Sequence, residues 1–321
     1  MRSVLTAFLL AGLPIAAAQD LPVQGPVLGY AWEAGSSRLR PILGIPGSSL
    51  LGSPLDLGVS LALAEVSPRQ DYALAVDADS GAVLLVRLTG DLSARPLSGL
   101  APGASRMALS ATGSAAAIYA PDRGSLHVIT GLPDAPSVTS VALPGPVSAL
   151  AVHDAGDLVL AVSGEQLYAL RPGAEPRRLG LVGAAAAIAF AEDSHDALVA
   201  DPSRQEVFLL RGENERLILA GARDGVSDPV AVALAGRRGF VANRGSSTVL
   251  VVDLAGAPPL SVACPCEVSG LQRLRGETVF RLTDSLRSAS YLLEAGPAEP
   301  RLWFVPPDAA AQVRPARERS R

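Results

Sequence analysis

Short apolar runs separated by turns rich in Gly, Asp, Ser and Pro recur from residue 27 to about residue 305. The first run of each unit is built from small side chains: LALAEV from Leu61, RMALSA from Arg106, VSALAV from Val147, AAIAFA from Ala186, PVAVAL from Pro229 and LQRLRG from Leu271. A polar turn follows, then a second run (residues 72–76, 115–119, 158–162, 196–200, 240–242 and 278–282), and after another turn a third (82–88, 125–129, 166–170, 206–210, 248–253 and 290–293). A more polar fourth segment closes each unit. Short runs with turn chemistry between them predict strands, and no segment carries a sustained 3.6-residue apolar period that would predict a helical repeat.

The units repeat about every 40 residues, the period of a four-stranded propeller blade. The sequence therefore predicts an all-β protein, a β-propeller of four-stranded antiparallel blades. Small first strands suit the crowded centre of the ring, and the larger aliphatic side chains of the later strands suit packing between blades. Six full units are countable. An N-terminal hairpin, with strands over residues 27–32 and 38–45 and a turn at 34–37, precedes them, and a Gly/Pro/Ser connector is expected from residue 46 to 58. Read as the start of a short blade, the hairpin gives seven blades, the preferred count. Read as a clasp on the last blade, it gives six.

The stretch FVANRGSSTVLVVD, residues 240–253, resembles the YVTN-type propeller repeat: an aromatic-Val-x-Asn strand end, a Ser/Asn turn and a Val-rich strand ending in Asp. The preceding unit is a looser copy with Asp201 at the Asn position and is similar to the NHL-like pattern. The resemblance implies the propeller fold. Such families contain surface and secreted proteins and a few enzymes, so it leaves function open.

The termini add a domain plan. Arg2, an apolar run over residues 4–15 and a small-x-small site at Ala16-Ala17-Ala18 read as an export signal over residues 1–18, with a mature chain from Gln19. A single propeller domain over 19–305 and a disordered, Arg-bearing tail over 306–321 follow. Periplasmic or extracellular location is expected. No later stretch has the length of a transmembrane helix.

Composition narrows the function classes. Hydrophobic residues make up 49% and charged residues 18%, enough for a large core, and the net charge is −4 with Arg and no Lys. The weakly acidic balance argues against nucleic-acid binding, and the absence of Lys removes Schiff-base and P-loop chemistry. No nucleophile elbow, HExxH, Walker or dinucleotide fingerprint is present. No cofactor or metal is expected, and a monomer is.

Candidate chemistry sits on turns. Asp77, Asp122, Asp201, Asn243 and Asp284 follow the second strands, with Arg123, Arg204, Arg244 and Arg287 beside several of them. Asp77, Asp122, Arg123, Asp201, Arg204, Asn243 and Arg244 are the candidate ligand-binding set, as an Asp/Arg ring near a channel mouth. The competing expectation is that Asp and Asn shape their turns by bonding their own backbone. Cys264 and Cys266 form a Cys-Pro-Cys, read as a local disulfide or two quiet thiols, with a redox pair or part of a soft-metal site as the alternative. His127, His153 and His195 are not at metal-ligand spacing and are read as structural. The leading functional expectation is a non-catalytic binding or interaction scaffold whose partner is a protein or a small polar ligand. The alternative is a lactonase-like hydrolase with its site at the channel mouth.

Overall fold

The computed structural model describes residues 25–33, 35–283, 289–296 and 299–307. The expected signal segment lies outside them, as do Asp284, Arg287 and residues 308–321 of the expected tail. Strands form seven antiparallel sheets. Blade 1 holds β1 (Val27–Glu33), β2 (Arg38–Ile45) and β3 (Ser48–Leu51); blade 2 holds β4 (Leu61–Val66), β5 (Tyr72–Asp77), β6 (Val83–Arg87) and β7 (Ser93–Pro96). Blade 3 holds β8 (Arg106–Leu109), β9 (Ala115–Ala120), β10 (Ser125–Thr130) and β11 (Ser137–Val141); blade 4 holds β12 (Ala149–Val152), β13 (Val159–Ser163), β14 (Gln166–Leu170) and β15 (Arg177–Leu181). Blade 5 holds β16 (Ala187–Phe190), β17 (Ala197–Asp201), β18 (Glu206–Arg211) and β19 (Glu215–Gly221); blade 6 holds β20 (Pro229–Ala235), β21 (Arg238–Asn243), β22 (Thr248–Asp253) and β23 (Leu260–Ala263). Blade 7 holds β24 (Gln272–Arg273), β25 (Val279–Arg281), β26 (Ser290–Glu294) and β27 (Arg301–Val305).

The sheets close into a ring, a seven-bladed β-propeller. The hairpin begins a blade of its own, as preferred from the sequence. The expected connector over 46–58 instead contains β3, which pairs with β2 from Ile42↔Leu51 to Ile45↔Ser48. Its Ser48-Ser49-Leu50-Leu51 is half exposed, so it carried little apolar signal.

Strand alternation explains the core. Successive side chains leave opposite faces of a strand, and each blade is covered on both faces by its neighbours. Phe240, Ala242, Val249 and Val251 of blade 6 pack toward blade 7, while Val241, Leu250 and Val252 pack toward blade 5. Burial on both faces turns these strands into continuous apolar runs. Seven buried clusters result, one at each junction between neighbouring blades. The fit is tight where glycine is used: a Cβ on Gly239 would lie 2.7 Å from Leu198 Cδ2 and 2.8 Å from Val252 Cγ2.

In the four-stranded blades the first strand is innermost and the last is outermost. Turns from first to second strand and from third to fourth therefore share one face of the ring. Turns from second to third strand, together with the blade-to-blade connectors, share the other. This assignment decides which side chains meet.

Candidate functional site

The Asp/Arg turns join second and third strands, so they stand one strand away from the channel. Most of their polar groups are spent locally. Asp201 is fully buried. Its Oδ1 accepts from the Ser203 hydroxyl (2.6 Å), the backbone N–H groups of Ser203 and Arg204, and the N–H of Gly183 in the preceding connector. Its Oδ2 pairs with Arg204 Nη1 at 2.7 Å. Burial opposes ionisation of Asp201, but these bonds outweigh it and hold the carboxyl below its ordinary range.

Asn243 does the same task in blade 6 without charge. Also fully buried, it accepts from Ser227 N–H at 3.1 Å and donates to Gly225 O at 3.1 Å and Thr248 Oγ1 at 3.2 Å. The Asn/Asp of the repeat thus ties the turn to the connector entering its blade. Asp77 accepts from the N–H groups of Asp79 (2.8 Å) and Ser80 (3.0 Å), and those bonds lower its pKa. Arg244 Nε pairs with Asp228 Oδ2 at 2.8 Å on the exposed rim. Asp122 and Arg123 lie exposed on a single 3-10 turn, Pro121–Arg123. The seven candidates are placed on their own blades' turns, on the face of the ring that also bears the connectors.

The innermost strands line a channel whose side chains are mostly Ala, Val and Leu, interleaved with exposed polar groups, with cavities of about 330 and 580 Å³ along it. Ala149, Ala187 and Ala231 contribute to the wider one, into which Glu65 and Arg106 also project. At the end bearing the first-to-second-strand turns, Arg273 of blade 7 reaches past blade 6. It donates through Nη2 to Leu234 O and through Nη1 to Glu192 Oε1 of blade 5 at 2.7 Å. A charged pair thus crosses that mouth, with Glu192 half exposed.

Beside it the turns of blades 4 and 5 bring together groups the sequence kept apart. Asp157 Oδ1 accepts from His153 Nδ1 at 2.8 Å, and its Oδ2 accepts from His195 Nε2 at 2.9 Å. The two imidazoles lie against each other with centroids 4.1 Å apart and planes tilted by 34°, and His153 meets the edge of Phe190, a channel-lining residue. His153 is buried, and its Nε2 has no hydrogen-bond partner. Burial opposes ionisation of Asp157, but the bonds from His153 and His195 prevail and keep its carboxyl low. Arg171 stands 3.8 Å from Asp157 Oδ2 and also pairs with Glu213, which Arg177 holds from the other side. The signal that brings the two histidines together is register: His153 and His195 occupy equivalent turns one blade period apart.

Among the described residues, His153, Asp157 and His195 are the His/Asp set whose donor atoms gather closely enough to hold a metal ion. Both carboxylate oxygens accept from the imidazoles, the rings are tilted by 34° and a guanidinium stands nearby, so an ion held there would displace both imidazole protons.

No known protein family matches the chain, and no curated protein matches it. Solved structures do. Virginiamycin B lyase from Staphylococcus aureus aligns with a TM-score of 0.56 at 11% identity, over 76% of this chain and 83% of that one. A functionally unknown protein from Desulfotomaculum acetoxidans DSM 771 aligns at 0.59 and 13%, over 87% and 100%. The WD40 repeats of RRP9 align at 0.56 and 14%, over 78% and 82%. At such identities the likeness shows the fold alone. A lyase and a WD40 protein share it, so function rests on the site.

Cys264 and Cys266 form a disulfide. Cys264 is buried in the core between blades 6 and 7, with Cys266 packed beside it. The pair is thus oxidised and lies on the connector leaving β23.

Proposed function

We propose that the protein is an exported binding propeller that holds a partner protein or a small polar ligand at the channel mouth crossed by Arg273 and Glu192. The observation that carries this reading is the mouth itself: a channel lined by aliphatic side chains together with Glu65, Gln272 and Arg273, rimmed by a charged pair and the neighbouring histidine cluster. Rigid blades hold such a rim in place while its turns supply specificity. The Cys264–Cys266 disulfide supports an oxidising compartment, in keeping with the signal pattern of residues 1–18. The Phe240–Asp253 pattern, with Asn243 in its tying role, supports the YVTN-type assignment.

Photocrosslinking in the expressing cell tests the reading. A photoreactive residue at Glu192 is expected to give discrete adducts, and one at exposed Ile218 on β19 to give none. Equal labelling from both positions, or none from Glu192, overturns it. The His153–Asp157–His195 set favours a second reading, a metal-assisted hydrolase. Titration with zinc separates the two: the binding reading expects no stoichiometric uptake, whereas uptake abolished by His195→Ala would establish the metal site.

A further inference from the structure

The repeat supplies its own control for side chains that the fold does not require. In blades 2 to 6, one residue of the innermost strand pairs with the penultimate residue of the second strand. It is Leu63 (with Val76), Arg106 (with Tyr119), Ala149 (with Val162), Ala187 (with Ala200) and Ala231 (with Ala242). Blades 4 to 6 place alanine there and blade 2 leucine, so a small or apolar side chain meets the packing need at this position. Blade 3 places an arginine.

Arg106 does not tie its blade to a neighbour. Its guanidinium is exposed and has no hydrogen-bond or ion-pair partner among the described residues. Two other arginines of the channel are held: Arg273 pairs with Glu192, and Arg281 Nη1 donates to Gln272 Oε1 at 2.6 Å.

The cavity of about 580 Å³ beside Arg106 is also lined by Ser148 and Ala184, which belong to blade-to-blade connectors. It therefore stands at the connector end of the channel, opposite the mouth crossed by Arg273 and Glu192. Facing Arg106 across it are Ala149, Ala187, Ile188, Ala231 and Val232 of blades 4 to 6. Its volume lies within the range of about 300 to 1,000 Å³ of small-molecule sites.

We propose that this end of the channel binds a small organic monocarboxylate with a flat apolar body. The planar guanidinium of Arg106 matches a carboxylate through two parallel N–H···O bonds. The alanine wall of blades 4 to 6 leaves a shallow surface against which a ring or short chain lies. The ligand carries one negative charge because Glu65 projects into the same cavity. A phosphate monoester would bring a second negative charge toward that carboxylate, and like charges repel at close range. The site lies beyond the partner-binding mouth proposed above and does not depend on it.

Isothermal titration of the full-length protein tests the site with three probes of one shape: 1-naphthoate, the neutral 1-naphthamide and the dianionic 1-naphthyl phosphate. Naphthoate is expected to bind one to one, and the other two about tenfold more weakly. Arg106→Ala installs the residue of blades 4 to 6. It is expected to weaken naphthoate about tenfold, to the level of naphthamide, and to leave naphthamide affinity and the melting curve unchanged, since the side chain is exposed and unpartnered. Photocrosslinking from Glu192 reads the other mouth and is expected to be the same in Arg106→Ala, so the two readings fail separately. Absence of saturable naphthoate binding overturns the proposal, as does equal affinity for naphthoate and naphthamide. Tighter binding of naphthyl phosphate overturns it too, and so does a naphthoate affinity that Arg106→Ala leaves intact.

Discussion

Blades 6 and 1 solve the same problem with different materials. In blade 6, β20 pairs with β21 from Pro229↔Asn243 to Ala235↔Arg238, so strands cover β21 on both edges. In blade 1, among the described residues, two glutamine amides and one borrowed N–H meet the β1 edge that a first strand covers in the other blades. A buried peptide edge must be satisfied, and a primary amide, with its donor and acceptor together, is the side chain that best imitates a peptide. Pairing by backbone leaves a repeat in the sequence. Pairing by side chain leaves none, because Gln70 and Gln272 come from different blades.

The largest expected effect breaks the strand-built side. Phe240 is fully buried and its ring lies 4.9 Å from that of Phe280 across the junction of blades 6 and 7. Phe240→Ala is expected to cost about 3–5 kcal/mol, measured as a lower urea midpoint with unchanged slope. A loss below about 1 kcal/mol would mean that this junction repacks freely.

The side-chain-built edge comes next. Gln70 is fully buried, and its Nε2 also donates to Ser67 O and, at 2.8 Å, to Arg273 O. Gln70→Ala orphans these groups together with Tyr30 N–H and is expected to cost about 2–3 kcal/mol. Gln70 also sits at φ +59°, where glycine is at ease, so Gln70→Gly should lose about 1 kcal/mol less than Gln70→Ala. Equal losses for the two would show that backbone strain contributes nothing there.

The same contrast explains what the sequence revealed. The blade period, the small innermost strands and the separate N-terminal blade were legible, because hydrogen-bonded strands buried on both faces demand apolar runs at fixed spacing. Asn243 and Asp201 were legible as a repeated position. Their tie to the connectors was not, because Ser227 and Gly183 precede the strands that carry them by a variable loop. The histidine cluster was hidden for a related reason: His153 and Asp157 share a turn, but their third member comes from the next blade. β3 was missed because an outermost strand needs little apolar content.

A smaller effect separates the two kinds of turn by pH. Asp157 holds a lowered pKa through its histidine bonds. Its stabilisation is therefore fully present above the unfolded value of about 4 and is lost as pH falls through the lower folded value. Because the carboxylate is half exposed, the expected size is about 1 kcal/mol or less. Melting curves of wild type and Asp157→Asn should differ at pH 6 and converge as the pH falls through the carboxyl's lowered folded value. A gap that persists in acid would assign the difference to packing of the adjacent imidazoles instead.

The smallest expected effect falls on the most regular blade. Arg244 is more than half exposed, and its pair with Asp228 lies in solvent, so Arg244→Ala should change stability by about 0.5 kcal/mol or less. That makes it a clean probe of the turn as a binding element, since folding is held constant. If the channel mouth is the binding surface, crosslinking from Glu192 is unchanged in Arg244→Ala and falls in Arg273→Ala. If adducts fall with Arg244 instead, the ligand sits on the opposite face of the ring, among the Asp and Asn turns.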